Sequence, residues 1–323
     1  MKKIFCAVLA IAAMASCSNE YTIDTQKQAI AFGETFVNNS TRAATDNTYL
    51  DGKDVEAFKV WGTVKGTHDG AQDVAIFSGA EVTRPNGLTG YNETKAWVCN
   101  EVQYWVPNAN YNFTAVVDGE FNPETSEIAY TVSTQKDLLL ATATASVDDD
   151  GDITGTNEDG LVAFTFDHLL SKAYFTFQTD GAYKTADYTY EISDIQFDNA
   201  YTSGTYTVGA TTPWEGTGSD DLSFGDAVTL DPSKTAAVST TSELVKVFIP
   251  QASVKISFTV TIKYNGTEIS KKNYGFTVFN GEGKESKAGH SYNFVAEFTE
   301  NAQIQFTVKD VTDWVEEDDI TLE

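Results

Sequence analysis

Basic residues are scarce in this chain of 323 residues. Lysine and arginine together number 21 against 47 aspartate and glutamate residues, which gives a formal net charge of −26. Such a surface repels phosphate backbones and anionic lipid headgroups, so the sequence argues against a partner that is nucleic acid. Arginine occurs only as Arg42 and Arg84. A reaction specific for arginine could therefore occur at only two positions in the chain.

Histidine and catalytic motifs are scarce as well. His68, His168 and His290 stand far apart, and none has a second histidine or cysteine at metal-ligand spacing. The sequence contains neither the Gly-x-Ser-x-Gly motif nor the His-Glu-x-x-His motif. His168 is predicted to be a structural residue at the end of a strand. These absences argue against an enzyme and against a bound cofactor.

An acidic segment, residues 148–160, is the one stretch that suggests a cation site. It departs from the helix-loop-helix calcium pattern, because Ile153 stands where that loop needs glycine and no helical pattern flanks it. A solvated linker is the better interpretation. Metal binding by residues 148–159 stays an open alternative.

Long hydrophobic runs are missing, and the longest apolar stretch, Ile4 to Ala13, is too short for a permanent membrane helix. Lys2 and Lys3 precede it, as in a signal peptide. The sequence Met14-Ala15-Ser16-Cys17 follows, and small residues before a cysteine are what a lipoprotein signal peptidase recognises. We predict cleavage before Cys17 and lipidation of that residue. The alternative is an ordinary secretory signal.

Cysteine is rare too. Cys6 leaves with the predicted signal peptide and Cys17 carries the lipid, so Cys99 alone remains in the soluble part. A single cysteine cannot form an internal disulfide, which excludes a disulfide scaffold.

Alternation of apolar and polar residues dominates the chain and predicts an all-β protein. Ile256, Phe258, Val260 and Ile262 share one face of a predicted strand, and hydroxyl and lysine side chains share the other. Strands with one polar face are typical of antiparallel sandwiches. No segment of ten or more residues shows a convincing helical period with caps.

The length of the chain favours two tandem antiparallel β-sandwiches. The acidic segment is the best boundary, because a new hydrophobic strand begins at Leu161. The predicted organisation is a signal peptide (1–16), a lipidated propeptide with the first strand (17–42), an N-terminal sandwich (43–160) and a C-terminal sandwich (161–323).

Tryptophan is the residue type most open to a binding role. Trp61, Trp97 and Trp105 lie in strand-like contexts and are predicted to be core residues. Trp214 lies between Pro213 and Gly216, in a predicted loop, where its ring can stack on a sugar. Packing of the Trp214 ring on its own domain is the favoured alternative.

Four segments, taken in order, make the chain resemble the fimbrillins, the subunits of type V pili that are assembled from lipoprotein precursors. The resemblance spans the whole chain. Its residues are Cys17 with Ala29-Ile30-Ala31-Phe32 and Ser40-Thr41-Arg42-Ala43; Tyr104-Trp105 with Tyr111-Asn112-Phe113; Phe166-Asp167-His168-Leu169-Leu170-Ser171-Lys172; and Gly289-His290-Ser291-Tyr292 with Ile304 to Val308, Val311-Thr312-Asp313-Trp314, Ile320 and Leu322.

The resemblance implies two stacked transthyretin-like sandwiches and a mechanism of assembly. In fimbrillins a surface protease cuts after an arginine, or sometimes a lysine, behind the first strand and removes the lipidated N-terminal segment. The lost strand leaves unpaired backbone groups and an apolar groove. A strand from another subunit then fills the groove.

Residues of this chain match each part of that mechanism. The removed strand would carry Ile30, Phe32 and, after Gly33, Phe36, and the cut would fall between Arg42 and Ala43. The donor strand would carry Ile304, Phe306, Val308, Val311, Trp314, Ile320 and Leu322. The alternatives are a surface arginine without a role and a C-terminal segment that is only the last strand of its own domain.

The sequence as a whole therefore favours a structural, non-enzymatic subunit of a cell-surface fimbria that mediates adhesion. It would be an outer-membrane lipoprotein precursor first and part of the fimbrium later. Its expected partners are other fimbrial subunits, an Arg-specific surface protease, and a host or bacterial surface glycan or protein. The rival hypothesis is a lipid-anchored glycan-binding lipoprotein that uses Trp214.

Overall fold

The computed structural model describes residues 28–33, 35–37, 48–49, 57–84, 96–179, 187–225, 227–230, 244–279, 285–298 and 304–311. Several predicted positions lie outside these residues, namely Cys17, Arg42, Ala43, Trp314, Ile320 and Leu322. Of the side chains in 304–311, only that of Phe306 is described.

The described elements are β-strands, together with a 3-10 turn at Val132–Thr134. This confirms the prediction of an all-β fold. No helix in the described part is long and apolar enough to cross a membrane. The strands are β1 Phe32–Gly33, β2 Phe36–Val37, β3 Thr48–Tyr49, β4 Ala57–Gly66, β5 Val74–Thr83, β6 Ala96–Cys99, β7 Ala109–Val117, β8 Glu120–Asn122, β9 Glu127–Thr131, β10 Leu139–Val147, β11 Ile153–Thr154, β12 Thr165–His168, β13 Ser171–Thr179, β14 Tyr188–Ala200, β15 Ser203–Thr207, β16 Trp214–Thr217, β17 Asp220–Ser223, β18 Val228–Leu230, β19 Val245–Phe248, β20 Val254–Tyr264, β21 Thr267–Val278, β22 Ser291–Phe298 and β23 Ile304–Val311.

The N-terminal part of the molecule is one continuous sheet in the order β1-β6-β5-β4-β7-β10-β12-β2-β3. Strict alternation on β7 places Ala109, Tyr111, Phe113 and Ala115 inside, because successive side chains point to opposite faces of a strand. Strands β1 and β2 follow each other in the chain, yet they pair near opposite ends of this order. Residues 28–37 therefore close the sheet around its core.

The N-terminal core extends further along the chain than the sequence suggested. Val162, Phe164 and Phe166 are buried in the same cluster as Phe32 and Phe58. The acidic segment 148–160 therefore does not separate two domains, which corrects the predicted boundary after residue 160. It connects strands of one sheet, since β11 and β12 both pair with β10, on the side away from β7.

The acidic segment is held by hydrogen bonds between its own backbone and side chains. The Asp152 N–H donates to Asp148 Oδ1 at 2.8 Å, and the Leu161 N–H donates to Asn157 Oδ1 at 2.9 Å. Among the described residues, no group of three or more His, Cys, Asp and Glu side chains is placed to hold a metal ion.

The C-terminal core lies between two sheets, β19-β13-β22-β23 and β17-β14-β20-β21. Its buried residues run from Ala173 to Phe298 and include a cluster of aromatic rings around Phe175, Phe197 and Phe294, which contact one another edge-to-face or tilted. Strands β13 and β22 pair in parallel from Lys172↔Ser291 to Thr179↔Phe298. A parallel pair joins strands that lie far apart in sequence, and the sequence pattern did not indicate it.

A four-stranded sheet, β16-β15-β9-β8, joins the two cores. Strand β9 comes from the N-terminal part and β15 from the C-terminal part, and they pair from Ser203↔Thr131 to Thr207↔Glu127. Gln135 adds a second link, because its side-chain amide accepts from Val247 N–H at 3.0 Å and donates to Val247 O at 3.1 Å. Backbone pairing thus ties the two parts together.

Candidate strand-addition site

Residues 28–37 lie between two neighbouring strands and form hydrogen bonds to both. On one side, the Ile30 N–H donates to Gln103 O at 2.8 Å, and Phe32 pairs with Trp97. On the other side, the Val162 N–H donates to Ala31 O at 2.8 Å. Removing this segment would leave two strand edges with unpaired N–H and C=O groups.

The pairing continues through β2. The Phe36 N–H donates to Phe164 O at 2.8 Å, and β2 runs parallel to β12 with Phe166 opposite Val37. The segment is therefore parallel to residues 162–166, and antiparallel to residues 96–104 near its start and to β3 at its end.

Phe32 is the main side chain that this segment places in the core, and none of its surface is exposed. Its ring lies 5.5 Å from that of Phe77, 5.9 Å from that of Phe113 and 5.7 Å from that of Phe164, measured between centroids. Ile30 is buried beside it. Loss of the segment would open an aromatic pocket lined by these three rings.

The sequence predicted the inward-facing residues of this segment only in part. Ile30 and Phe32 are buried as expected, but Phe36 is half-buried and Val37 is the core residue. The reason is a shift of alternation: the buried positions are even-numbered through Phe32 and odd-numbered from Thr35 onward. The chain changes from the β6 side to the β12 side between these points, which breaks the period of two.

The walls of the groove were not recognised from the sequence as partners of this segment. One wall is residues 96–105, where Trp97 and Trp105 are buried, as predicted for core residues. The other is residues 162–166. A signal for the first wall exists in the sequence, because Val98, Val102 and Val106 accompany the two tryptophans within ten residues.

Two titratable groups lie beside the first wall. Burial raises the pKa of Tyr111, partly offset by its hydrogen bond with the backbone of Val106. Burial also raises the pKa of the Cys99 thiol, partly offset by its hydrogen bond with the backbone of Glu101, while the charge of Glu101 acts to raise the pKa. The thiol is therefore held in its less reactive, protonated form.

The predicted donor residues lie at the other end of the chain. Strand β23 is at the edge of its sheet and pairs antiparallel with β22 from Ser291↔Val311 to Phe298↔Ile304. Ile304, Val308 and Val311 are within this strand. Phe306 is half-buried and its ring stacks on that of Phe276 at 4.3 Å with an interplanar angle of 6°.

Trp214 does not form the exposed platform considered from the sequence. It begins strand β16, and its indole Nε1 donates to Leu169 O at 2.7 Å. Its ring contacts those of Tyr206 and Tyr130 at centroid distances of 5.4 and 6.4 Å. The ring therefore packs on its own chain at the junction of the two cores.

His168 lies at the end of β12, as predicted for a structural residue. Its Nδ1 lies 2.7 Å from Asp137 Oδ2, and the His168 side chain is buried. The contact ties β12 to the chain just before β10.

A family model described as fimbrillin-like matches residues 41–314, which confirms the resemblance noted in the sequence. A fimbrial protein from Bacteroides vulgatus shares the fold, with a TM-score of 0.51, 12% identity and coverage of 87% of this chain and 98% of that one. A candidate cell adhesion protein from Bacteroides ovatus has a TM-score of 0.51 and 16% identity, with 90% and 99% covered. A comparison with curated protein sequences finds no significant match.

Proposed function

The chain belongs to the fimbrillin-like family, and we propose that it is a structural subunit of a cell-surface fimbria that polymerises by strand exchange and mediates adhesion. The observation that carries the proposal is the position of residues 28–37. This segment fills a groove between two strands, and it lies close to the start of the chain. A single cut behind it would detach it from the rest of the chain.

The proposed cut lies between Arg42 and Ala43. These residues belong to the connection between β2 and β3, residues 38–47, whose sequence is rich in asparagine, serine and threonine. Polar connections of this kind are the preferred substrates of proteases. An Arg-specific surface protease would separate the lipidated Cys17 and residues 28–37 from the remainder of the subunit.

The open groove would then accept a strand from another subunit. Without an occupant, the backbone groups along both walls and the pocket of Phe77, Phe113 and Phe164 would be exposed to water, or the walls would close on each other. Each unsatisfied buried backbone group costs about 1–3 kcal/mol, so occupation of the groove is strongly favoured. β-Strand addition satisfies both the backbone and the pocket at once.

The proposed donor is the C-terminal segment from Ile304 to Leu322 of another copy or of another fimbrial subunit. Its first part, β23, is an edge strand with a single strand partner among the described residues, which makes it easier to detach than a central strand. The lipid on Cys17 would act before assembly, by delivering the precursor to the outer membrane, and the processed subunit would lie in the fimbrium.

The proposal is tested by Arg42→Gln with Arg84→Gln as the matched control, since these are the two arginines of the chain. We expect the processed wild-type subunit and the Arg84→Gln subunit to begin at Ala43 by N-terminal sequencing and to form fibres. Arg42→Gln should remain uncut and monomeric. Fibres built from subunits that still begin at Cys17 would contradict the proposal.

A further inference from the structure

Residues 28–37 have three neighbours in the structure, and one of them follows the proposed cut in the chain. Two neighbours are the walls of the groove, residues 96–105 and residues 162–166. The third is β3, which pairs antiparallel with β2. Strand β3 lies behind Arg42, so it stays with the processed subunit and borders the segment together with the two walls.

The proposed cut breaks none of the hydrogen bonds that residues 28–37 form with the walls. These bonds begin at the first residue of the segment, where the Trp105 N–H donates to Gln28 O at 3.1 Å, and they continue to the Phe36 N–H. The peptide bond that follows Arg42 lies outside this range. Cleavage therefore removes the covalent connection and leaves the backbone pairing as it was.

The side chains of the segment are a second reason for it to stay bound. Ile30, Phe32, Thr35 and Val37 are 4%, 0%, 2% and 1% exposed. Three of these four are apolar, and their burial favours the bound state by a factor on the order of a thousand or more. Loss of the covalent connection lowers the local concentration of the segment but changes none of these contacts.

From these contacts we infer that the groove is a binding site for the propeptide, residues 17–42, after the propeptide has been cut off. Cleavage behind Arg42 converts an intramolecular strand into a separate peptide that stays in the groove, and the donor strand of the next subunit has to displace it. The inference rests on the proposed function and describes its regulation: the cut permits exchange, and the arrival of a donor opens the groove.

Retention of the propeptide has a consequence for the membrane. The proposed lipid on Cys17 belongs to the same propeptide, so a cut subunit that keeps this peptide also keeps its anchor. The subunit would leave the membrane only when a donor strand displaces the peptide. Incorporation into a fibre and release from the membrane would then be one event.

The first experiment follows the fragment that ends at Arg42 after an Arg-specific protease has cut the lipid-free precursor. Arg84→Gln is the background, because it leaves Arg42 as the single arginine. We expect native mass spectrometry of the cut monomer to give the mass of the precursor plus one water molecule, and denaturation to release the fragment. Without denaturant, the fragment should appear in solution only as fibres form.

Loss of the fragment from the cut monomer before fibres form would overturn the inference and leave the proposed function intact. A cut protein that never forms fibres, with or without the fragment, would instead contradict the proposed function.

The second experiment tests whether the groove is what holds the fragment, at a dilution that prevents polymerisation. Phe32→Ala empties the aromatic pocket. Tyr264→Ala is the matched control, because it also truncates an aromatic side chain but lies on β20, in the C-terminal sheet, and is 41% exposed. We expect the cut Phe32→Ala precursor to release its fragment about a hundredfold faster than wild type, and Tyr264→Ala to release it at the wild-type rate. Equal release from the two variants would overturn the inference.

A competition experiment needs no variant subunit to fold. A synthetic peptide of residues 18–42 is added in excess to the cut subunit, and the same peptide with Phe32→Ala is the control. We expect the unmodified peptide to slow polymerisation several-fold, because it rebinds the groove that donor strands must enter, and the control peptide to slow it much less. Equal polymerisation rates with the two peptides would show that the groove does not bind the propeptide once it is cut, and would overturn the inference.

Discussion

The two cores of the molecule are closed by terminal segments of opposite character. Residues 28–37 close the N-terminal core and hydrogen-bond to strands on both sides, with Phe32 fully buried. Strand β23 closes the C-terminal core from the edge of its sheet, and Phe306 is half-buried. The first segment occupies a groove, whereas the second covers an edge.

This difference explains how one chain can supply both an acceptor and a donor. A segment held on two sides leaves a deep defect when it is lost, so its site is a strong acceptor. Strand β23 has one strand partner among the described residues, so it can leave its sheet at a smaller cost than a segment held on two sides. A subunit with a groove at each core would have no strand to donate. A subunit with an edge strand at each core would have no deep site to accept one.

The largest expected effect distinguishes the two closing segments directly. Phe32→Ala should destabilise the uncut precursor by about 3–5 kcal/mol, because it empties a pocket between three aromatic rings. Phe306→Ala should cost only about 1–2 kcal/mol, because that ring is half-buried. Urea unfolding followed by tryptophan fluorescence measures the first effect well, since Trp97 and Trp105 belong to the N-terminal core.

Fibres provide the control for this comparison. Phe32 is removed with the propeptide in the proposed mechanism, so Phe32→Ala should leave the stability of assembled, processed subunits unchanged. Equal losses for Phe32→Ala and Phe306→Ala in the precursor would show that the two closing segments do not differ as described.

Local patterns were sufficient to predict the strands but not their partners. The alternation from Ile256 to Ile262 locates β20 because one face of that strand is buried and the other is polar. Trp97 and Trp105 were identified as core residues for the same reason. In each case the information lies within a few residues of the position concerned.

Pairing and core membership depend on distant residues, and these were missed. The hydrophobic strand after Leu161 looks the same in sequence whichever core it joins, and it joins the N-terminal one through contacts with residues 28–37. Proline and glycine around Trp214 suggested a loop, whereas Trp214 begins strand β16. The favoured interpretation, that its ring packs on its own domain, is confirmed, but its partners, the Leu169 carbonyl and two tyrosine rings, are distant in sequence. Val37 rather than Phe36 is buried in the core because residues 28–37 change their strand partner along their length.

A second prediction sharpens the assignment of the acidic segment to the N-terminal core. Gly155 has a φ of +83°, and a Cβ at this position would lie 2.3 Å from Thr144 O. Gly155→Ala should therefore destabilise the N-terminal core by about 2 kcal/mol or more, through backbone strain and a clash with β10.

Gly151→Ala is the matched control within the same segment. Its φ is +91°, but nothing lies within 4 Å of the added Cβ, so we expect a cost of about 1 kcal/mol. Similar small losses for both variants in urea unfolding would indicate a linker that is not packed against the sheet.

The smallest expected effect concerns the junction between the two cores. Tyr130 packs against Trp214, and its hydroxyl donates to Lys136 O at 2.8 Å. Burial raises the pKa of Tyr130 to about 12. The pKa of tyrosine in an unfolded chain is about 10. The raised pKa of Tyr130 therefore stabilises the folded state below pH 10, and this stabilisation is lost as the pH rises from about 10 to 12.

Tyr130→Phe should cost about 1 kcal/mol at neutral pH, because the Lys136 carbonyl loses its hydrogen-bond donor. The same variant should also lose stability less steeply than wild type between about pH 10 and 12, since it has no hydroxyl to ionise there. Tyr104→Phe, which removes an exposed hydroxyl from the N-terminal sheet, controls for general alkaline effects. If Tyr130→Phe and wild type declined in parallel in urea titrations across this range, the junction would not depend on a neutral Tyr130, and the two cores would be coupled mainly by the pairing of β9 with β15.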